Sequence, residues 1–125
     1  MIVGLGTDLV ESNRVLRELA HGPWLAGDGV FTPEEIEYCS LGKQPGRRYA
    51  ACFAAKEATL KALGTPVTDL GMFREVEVKP GGRTEHEIVL HNRLQAIASK
   101  LGAKRINLSI AATRRRVSAM VILES

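Results

Sequence analysis

The feature of this sequence that most constrains its fold is an alanine-rich segment in the middle of the chain. Arg47–Leu63 runs for 17 positions without glycine or proline, and Gly64 follows it directly. Alanine has the highest helix propensity, and glycine is the residue found most often just past the C-terminus of a helix. The segment therefore predicts a long central helix, around which the rest of the 125-residue chain has to pack.

The N-terminal segment predicts a strand with an unusual face. Side chains alternate along a strand, so within Met1–Val10 the residues Gly4, Gly6 and Asp8 share one face. Glycine weakens a strand. Two glycines on one face leave it open and indicate that something approaches the backbone closely.

Capping signals and periodicity predict the remaining elements. Thr32 as N-cap, Pro33 at N1 and Glu35 at N3 form a capping box for a helix over Thr32–Leu41. Further helices are predicted over Ser12–Ala20 and Asn92–Leu101, the latter capped by Asn92, and strands over Val76–Lys79, Glu87–Leu90, Ile106–Ile110 and Val117–Leu123. Because no regular βαβ alternation appears, the predicted fold class is α+β, with a mainly antiparallel sheet packed on the central helix in one domain of residues 1–125.

Composition excludes several classes of protein. The apolar runs fall far short of the roughly 20 residues of a membrane helix, and the N-terminus lacks the basic leader of a signal or transit peptide. The two cysteines are too few for a disulfide framework and indicate reduced thiols in a cytoplasmic protein. The three histidines lack zinc spacing. The net charge of +3 favours anionic partners weakly, and the scattered aromatic residues argue against nucleic acid.

Two carboxylates are candidates for chemistry. On a helix Glu57 lies between Phe53 and Lys61, each four residues away, so it should be partly buried and need a cation. An ordinary Glu–Lys pair explains the same spacing, and Asp8 could instead start a turn or cap the helix at Ser12. If the two carboxylates meet, they suit magnesium, which takes one or two carboxylates and completes its shell with water and substrate phosphates. Spacing alone does not decide whether they meet.

Three motifs, in this order and spacing, closely resemble the holo-acyl-carrier-protein synthases, which are the small 4′-phosphopantetheinyl transferases. They are Gly4-Leu5-Gly6-Thr7-Asp8-Leu9-Val10-Glu11, Phe31-Thr32-Pro33-Glu34-Glu35, and Phe53-Ala54-Ala55-Lys56-Glu57-Ala58 followed by Lys61-Ala62-Leu63-Gly64-Thr65. The resemblance implies a magnesium-dependent cytoplasmic transferase of fatty acid biosynthesis and lipid metabolism. Such an enzyme moves 4′-phosphopantetheine from coenzyme A to a serine of an apo acyl carrier protein and releases 3′,5′-ADP.

The resemblance also implies roles for particular residues. Asp8 and Glu57 would be the magnesium ligands, and Glu57 and Lys61 the catalytic residues beside the reacting phosphate. Arg14 would contact the acidic carrier protein. The family assembles as a homotrimer with cofactor sites between subunits, and the implied coenzyme A contacts are Lys43, Arg47, Arg48, Lys61, Gly64, Thr65 and Arg83. A solvated loop is the alternative explanation for Lys43, Arg47, Arg48 and Arg83.

Three departures from the family pattern leave a second reading open. Cys52 stands where the family usually has arginine, Pro66 replaces a glycine, and no histidine follows Ser109 in Ser109-Ile110-Ala111-Ala112. These changes remove groups that could hold the cofactor. Arg114–Arg116 could restore positive charge or form a solvated hairpin tip. The alternative function is therefore a catalytically weak or silent paralogue that binds coenzyme A or a carrier protein without transfer.

Overall fold

A computed structural model, which describes residues 1–25, 29–80 and 86–125, contains two antiparallel sheets and five helices within those residues. The α+β prediction is confirmed. In chain order the elements are β1 (Ile2–Glu11), α1 (Ser12–His21), α2 (Pro33–Ser40), α3 (Pro45–Leu63), α4 (Gly71–Arg74), β2 (Val76–Pro80), β3 (His86–Leu90), α5 (Asn92–Leu101), β4 (Arg105–Ala112) and β5 (Arg116–Glu124). No helix in the described ranges is long and apolar enough to span a membrane.

The larger sheet joins the two ends of the chain. Its strand order is β1-β5-β4, with β5 in the centre and both pairings antiparallel, while β2 and β3 form a separate hairpin. Alternate residues of β5, such as Val117 and Val121, are fully buried against α3, whereas Met120 lies on the opposite, exposed face. The core thus includes α3 and the buried face of the larger sheet, and it extends to buried residues of α2, α4, α5 and the β2–β3 hairpin.

The glycine-bearing face of β1 is covered by α3 rather than open. A Cβ added to Gly6 would lie 2.0 Å from the carbonyl oxygen of Ala58, and one added to Gly4 would lie 2.3 Å from that of Ala62. The close approach that the glycines indicate is therefore made by the backbone of the protein's own central helix. This contact fixes the distance between β1 and α3.

The helix termini follow the predicted capping chemistry with one exception. Thr32 and Glu35 form the reciprocal capping box, and Gly64 ends α3 in the left-handed conformation, with φ of 69°. The prediction for Asn92 is wrong, because His91 occupies the N-cap position of α5 and Asn92 is the first helical residue, with φ of 49°. The central helix begins two residues earlier than predicted, since Pro45 fits the first turn of a helix.

Candidate functional site

Asp8 and Lys61 meet where β1 crosses α3. Lys61 Nζ donates to Asp8 Oδ1 at 2.8 Å and to the carbonyl oxygen of Thr7 at 3.2 Å. The Asp8 side chain is 10% exposed and that of Lys61 is 56% exposed, so the lysine reaches the buried carboxylate from solvent. The ion pair formed by Lys61 thus joins α3 to β1. It is not the pair with Glu57 within α3 that the helix spacing also allowed.

Glu57 lies one helical turn before Lys61, is half-buried, and is close enough to Asp8 to feel its charge. Burial, and then the negative charge of Asp8, raise the pKa of Glu57 to about 7, against the opposing charges of Lys61 and Arg14. The hydrogen bond to Asp8 raises the pKa of Lys61. Two carboxyl groups therefore share this point of the fold, and the charges of Lys61 and Arg14 do not fully offset the burial of Glu57 and its repulsion from Asp8.

The donor set fits a hard divalent cation. Asp8 Oδ2 is buried and has no hydrogen-bond partner, and such an atom is costly unless something binds it. No group of three or more histidine, cysteine, aspartate or glutamate side chains in the described part of the chain is arranged to hold a metal. The protein would therefore supply two carboxylates, a number that suits Mg²⁺ with water and substrate phosphates in the remaining positions.

A cavity of about 610 Å³ opens beside the Asp8–Lys61 pair. It is bounded by Thr7, Asp8, Leu9, Lys61, Ser109, Ala111, Ser118, Ala119 and Met120. Ser109 and Ala111 belong to the segment in which the resemblance leads us to expect a histidine, so this predicted departure falls directly on the cavity. Sequence reasoning did not assign a site role to Ser109, although its position in the family motif was a usable signal.

The other predicted contacts lie at both ends of α3. At its C-terminal end are Gly64 and Thr65, whose amide donates to the carbonyl oxygen of Leu60 at 3.3 Å. At its N-terminal end Arg47 Nη2 donates to the carbonyl oxygen of Thr113 at 3.1 Å. Beside it, Arg48 is half-buried and is held by Tyr38.

Arg48 makes two contacts with Tyr38. Its Nη1 donates to the carbonyl oxygen of Tyr38 at 2.7 Å, and its guanidinium lies 4.2 Å from the centre of the Tyr38 ring. Lys43 and Arg14 are exposed. Arg83 lies outside the described residues. Gly81 and Gly82 of the predicted turn at Pro80-Gly81-Gly82 also lie outside them.

Cys52, which replaces the arginine of the family pattern, is an interior residue. It is 6% exposed and neighbours Cys39 on α2, which is also buried. Burial raises the pKa of the Cys52 thiol well above its ordinary value. The Cys52 side chain therefore does not line the cavity of its own chain.

Comparison with known proteins assigns the chain to a family. The family model described as the 4′-phosphopantetheinyl transferase superfamily matches residues 4–116. The holo-[acyl-carrier-protein] synthase of Geobacter sp. (strain M21) is 39% identical, and the alignment covers 99% of both chains. The crystal structure of the synthase from Neisseria meningitidis superposes with a TM-score of 0.84 at 32% identity over 100% of both chains. That of the Bacillus anthracis synthase, in complex with CoA (3′,5′-ADP), has a TM-score of 0.76 at 28% identity, covering 100% of this chain and 98% of that one. The chain therefore belongs to the holo-[acyl-carrier-protein] synthase family of 4′-phosphopantetheinyl transferases and is an enzyme of that class.

Proposed function

We propose that this enzyme transfers 4′-phosphopantetheine from coenzyme A to a serine of an apo acyl carrier protein, with Mg²⁺ held by Asp8 and Glu57. The observation that carries the proposal is the meeting of these two carboxylates beside Lys61 at the edge of a cavity. The names and ligands of the related proteins support it. The whole chain, residues 1–125, would act as one transferase domain.

In this reaction the serine hydroxyl gives up its proton, which is released to solvent in the net reaction, and its Oγ forms a bond to the phosphorus that carries pantetheine. The bond from that phosphorus to the bridging diphosphate oxygen breaks, and 3′,5′-ADP leaves. The metal, when bound, would act as a Lewis acid and stabilise negative charge on the diphosphate. Asp8 and Glu57 would hold it, and the exposed Lys61 ammonium group can move from Asp8 to neutralise the transferring phosphate.

The surface around α1 supports an acidic carrier protein as the second substrate. Arg14 is exposed on this helix, and its charge reaches Glu57. A carrier protein bound to Arg14 would therefore present its serine close to the carboxylate pair. Complementary charge of this kind accelerates association and fixes the orientation of the partner.

The separation of the basic residues supports a site shared between subunits. Arg47 and Lys61 are 14 residues apart on α3, which corresponds to about 21 Å along the helix axis. That distance is too long for the 3′-phosphate and the diphosphate of one coenzyme A molecule, which a single ribose links. We therefore propose that Lys43, Arg47 and Arg48 serve the cavity of a neighbouring subunit.

The outer face of the larger sheet supports the same assembly. Leu5, Leu9 and Met120 are 58%, 65% and 44% exposed, and the last two line the cavity. Exposed apolar patches of this kind mark interaction surfaces. A homotrimer in which this face is covered would complete the cavity, and Leu9→Glu should shift the protein towards monomer in light-scattering measurements.

Mass spectrometry of the carrier protein tests the proposed activity. With coenzyme A and Mg²⁺, the wild-type enzyme should add the phosphopantetheine mass to an apo carrier protein. Glu57→Gln should abolish that increment, while Glu37→Gln, at an exposed carboxylate on α2, should retain it. Full activity of Glu57→Gln would refute the metal assignment.

A second candidate function is a silent paralogue that binds without transfer. The cavity favours this candidate in one respect, because Ser109 and Ala111 line it where the family usually provides an imidazole. Tight binding of coenzyme A by the wild-type protein with no mass increment on any carrier would establish it.

A further inference from the structure

Lys56 is a charged side chain at the centre of the molecule. Its exposure is 0%, and all three of its ammonium protons have acceptors. Nζ donates to Glu35 at 2.8 Å, to the carbonyl oxygen of Phe73 at 2.7 Å and to that of Val76 at 2.6 Å. A lysine is almost never fully buried unless it is paired in this way.

Glu35 makes two further bonds to backbone groups. Its Oε1 also accepts from the amide of Thr32 at 2.8 Å, and its Oε2 accepts from the amide of Val78 at 2.7 Å. We refer to Lys56, Glu35 and these bonded backbone groups as the Lys56 network. It connects α3 with the first turn of α2, the end of α4 and the start of β2.

Stability alone is a weak reason for such a network. The cost of removing two charges from water usually offsets their attraction, and well-packed apolar residues of the same size serve as well or better. The ring centre of Phe31 lies 5.8 Å from Nζ, and the buried Cys52 thiol is close enough to feel the charges of Lys56 and Glu35. The bonds from Lys56 are directional, and their acceptors on α2, α4 and β2 favour one rotation of α3 about its axis and one position along it.

That rotation matters because Glu57 is the next residue. A carboxylate lies roughly 6.5 Å from the helix axis, so a rotation of about 10° displaces it by about 1 Å. A displacement of that size at a reacting centre costs about 100-fold in rate. The contacts of Gly4 with Ala62 and of Gly6 with Ala58 hold one face of α3 against β1. Lys56 lies about 200° from Ala58 around the helix, so its bonds hold the opposite face.

We propose that Lys56 is a positioning residue that holds Glu57 beside Asp8 through the rotation of α3. This inference rests on the proposed function, in which Glu57 and Asp8 bind the metal. The Lys56 ammonium group is bonded to Glu35, Phe73 and Val76, and to neither carboxylate of that pair. It acts through the helix, as outer residues commonly orient the ligands of a metal.

The test separates the positioning of Glu57 from the stability of the fold. It removes the charge of Lys56 first and then the charges of both Lys56 and Glu35. Lys56→Met leaves Glu35 buried without its partner, so this variant should lose stability. Lys56→Met/Glu35→Gln removes both charges and should recover part of that stability, measured by thermal unfolding. In both variants Mn²⁺ binding, followed by electron paramagnetic resonance, should weaken by about 10- to 100-fold, with kcat falling similarly and KM for coenzyme A little changed.

Two controls complete the experiment. Lys100→Met, at an exposed lysine on α5, should leave both Mn²⁺ affinity and kcat unchanged. Leu94→Ala truncates a fully buried side chain on α5 and should lower the melting temperature without changing Mn²⁺ affinity at temperatures where the protein is folded. These controls show whether instability by itself weakens the metal site.

The outcomes are distinguishable from failure of the proposed function. If wild-type protein binds Mn²⁺, Glu57→Gln does not, and the double variant binds as wild type does, the positioning role is overturned while the metal site stands. If wild type and Glu57→Gln bind alike, the metal assignment itself fails. Should neither Lys56 variant fold, Glu35→Gln alone keeps both carbonyl bonds of Lys56 and should weaken Mn²⁺ binding in the same direction but less. Unchanged binding in that variant would overturn the inference.

Discussion

The metal-free protein should become more stable when Glu57 is replaced by glutamine. Burial and the charge of Asp8 raise the pKa of Glu57 from 4.5 to about 7, so above pH 7 the folded state holds an ionised carboxylate in an unfavourable place. The pKa of Glu57 is therefore higher in the folded protein than in the unfolded chain. The folded state therefore binds more protons between about pH 4.5 and 7, and wild-type stability falls as the pH rises through that range. Glutamine carries no charge and removes this cost.

The size of the effect follows from the same values. A rise of the pKa from 4.5 to about 7 corresponds to about 3 kcal/mol for a fully buried group. Glu57 is half-exposed, and solvent screening reduces this to roughly 1–2 kcal/mol. For a chain of this length, that predicts an increase of about 4–10 °C in the melting temperature at pH 8.

Thermal unfolding in the presence of a chelator measures the difference. Wild type and Glu57→Gln should differ most at pH 8 and converge near pH 4.5, where the wild-type carboxyl group is protonated in the folded state. Glu37→Gln is the control for a glutamate in solvent and should show no such pH-dependent gain. Equal stability of wild type and Glu57→Gln at pH 8, or a gain that is the same at both pH values, would refute the reasoning.

Three further predictions concern the surroundings of this site. Gly6→Ala forces its Cβ against the carbonyl oxygen of Ala58, so we expect a loss of about 2 kcal/mol or more in denaturant unfolding; a neutral result would contradict the close approach of β1 and α3. Lys61→Met removes a charge that lowers the pKa of Glu57, so nuclear magnetic resonance titration should find that pKa above 7, and a lower value would contradict the placement of Lys61. Cys52 is buried with a raised pKa, so it should react with a thiol reagent only as fast as the chain unfolds, and rapid reaction in native buffer would refute its burial.

Local chemistry explains how much of the fold the sequence predicted. A capping box joins residues three apart and a terminal glycine directly follows its helix, so the start of α2 and the end of α3 are readable from short windows, whereas the start of α3 was placed two residues late. α4 was missed because four residues carry no periodic pattern. The N-cap of α5 was misassigned by one position, since two adjacent polar residues, His91 and Asn92, both precede the apolar stripe.

By itself, the sequence predicted most of the secondary structure and the family, and it singled out Asp8 and Glu57 as candidate carboxylates. Only the tertiary structure decided that Lys61 pairs with Asp8, that α3 covers the glycines of β1, and that Lys56 is buried. The physical reason is distance along the chain, because Asp8 and Lys61 lie 53 residues apart. Their meeting depends on the pairing of the first and last strands and on the close packing of α3 against the sheet, which no local pattern specifies.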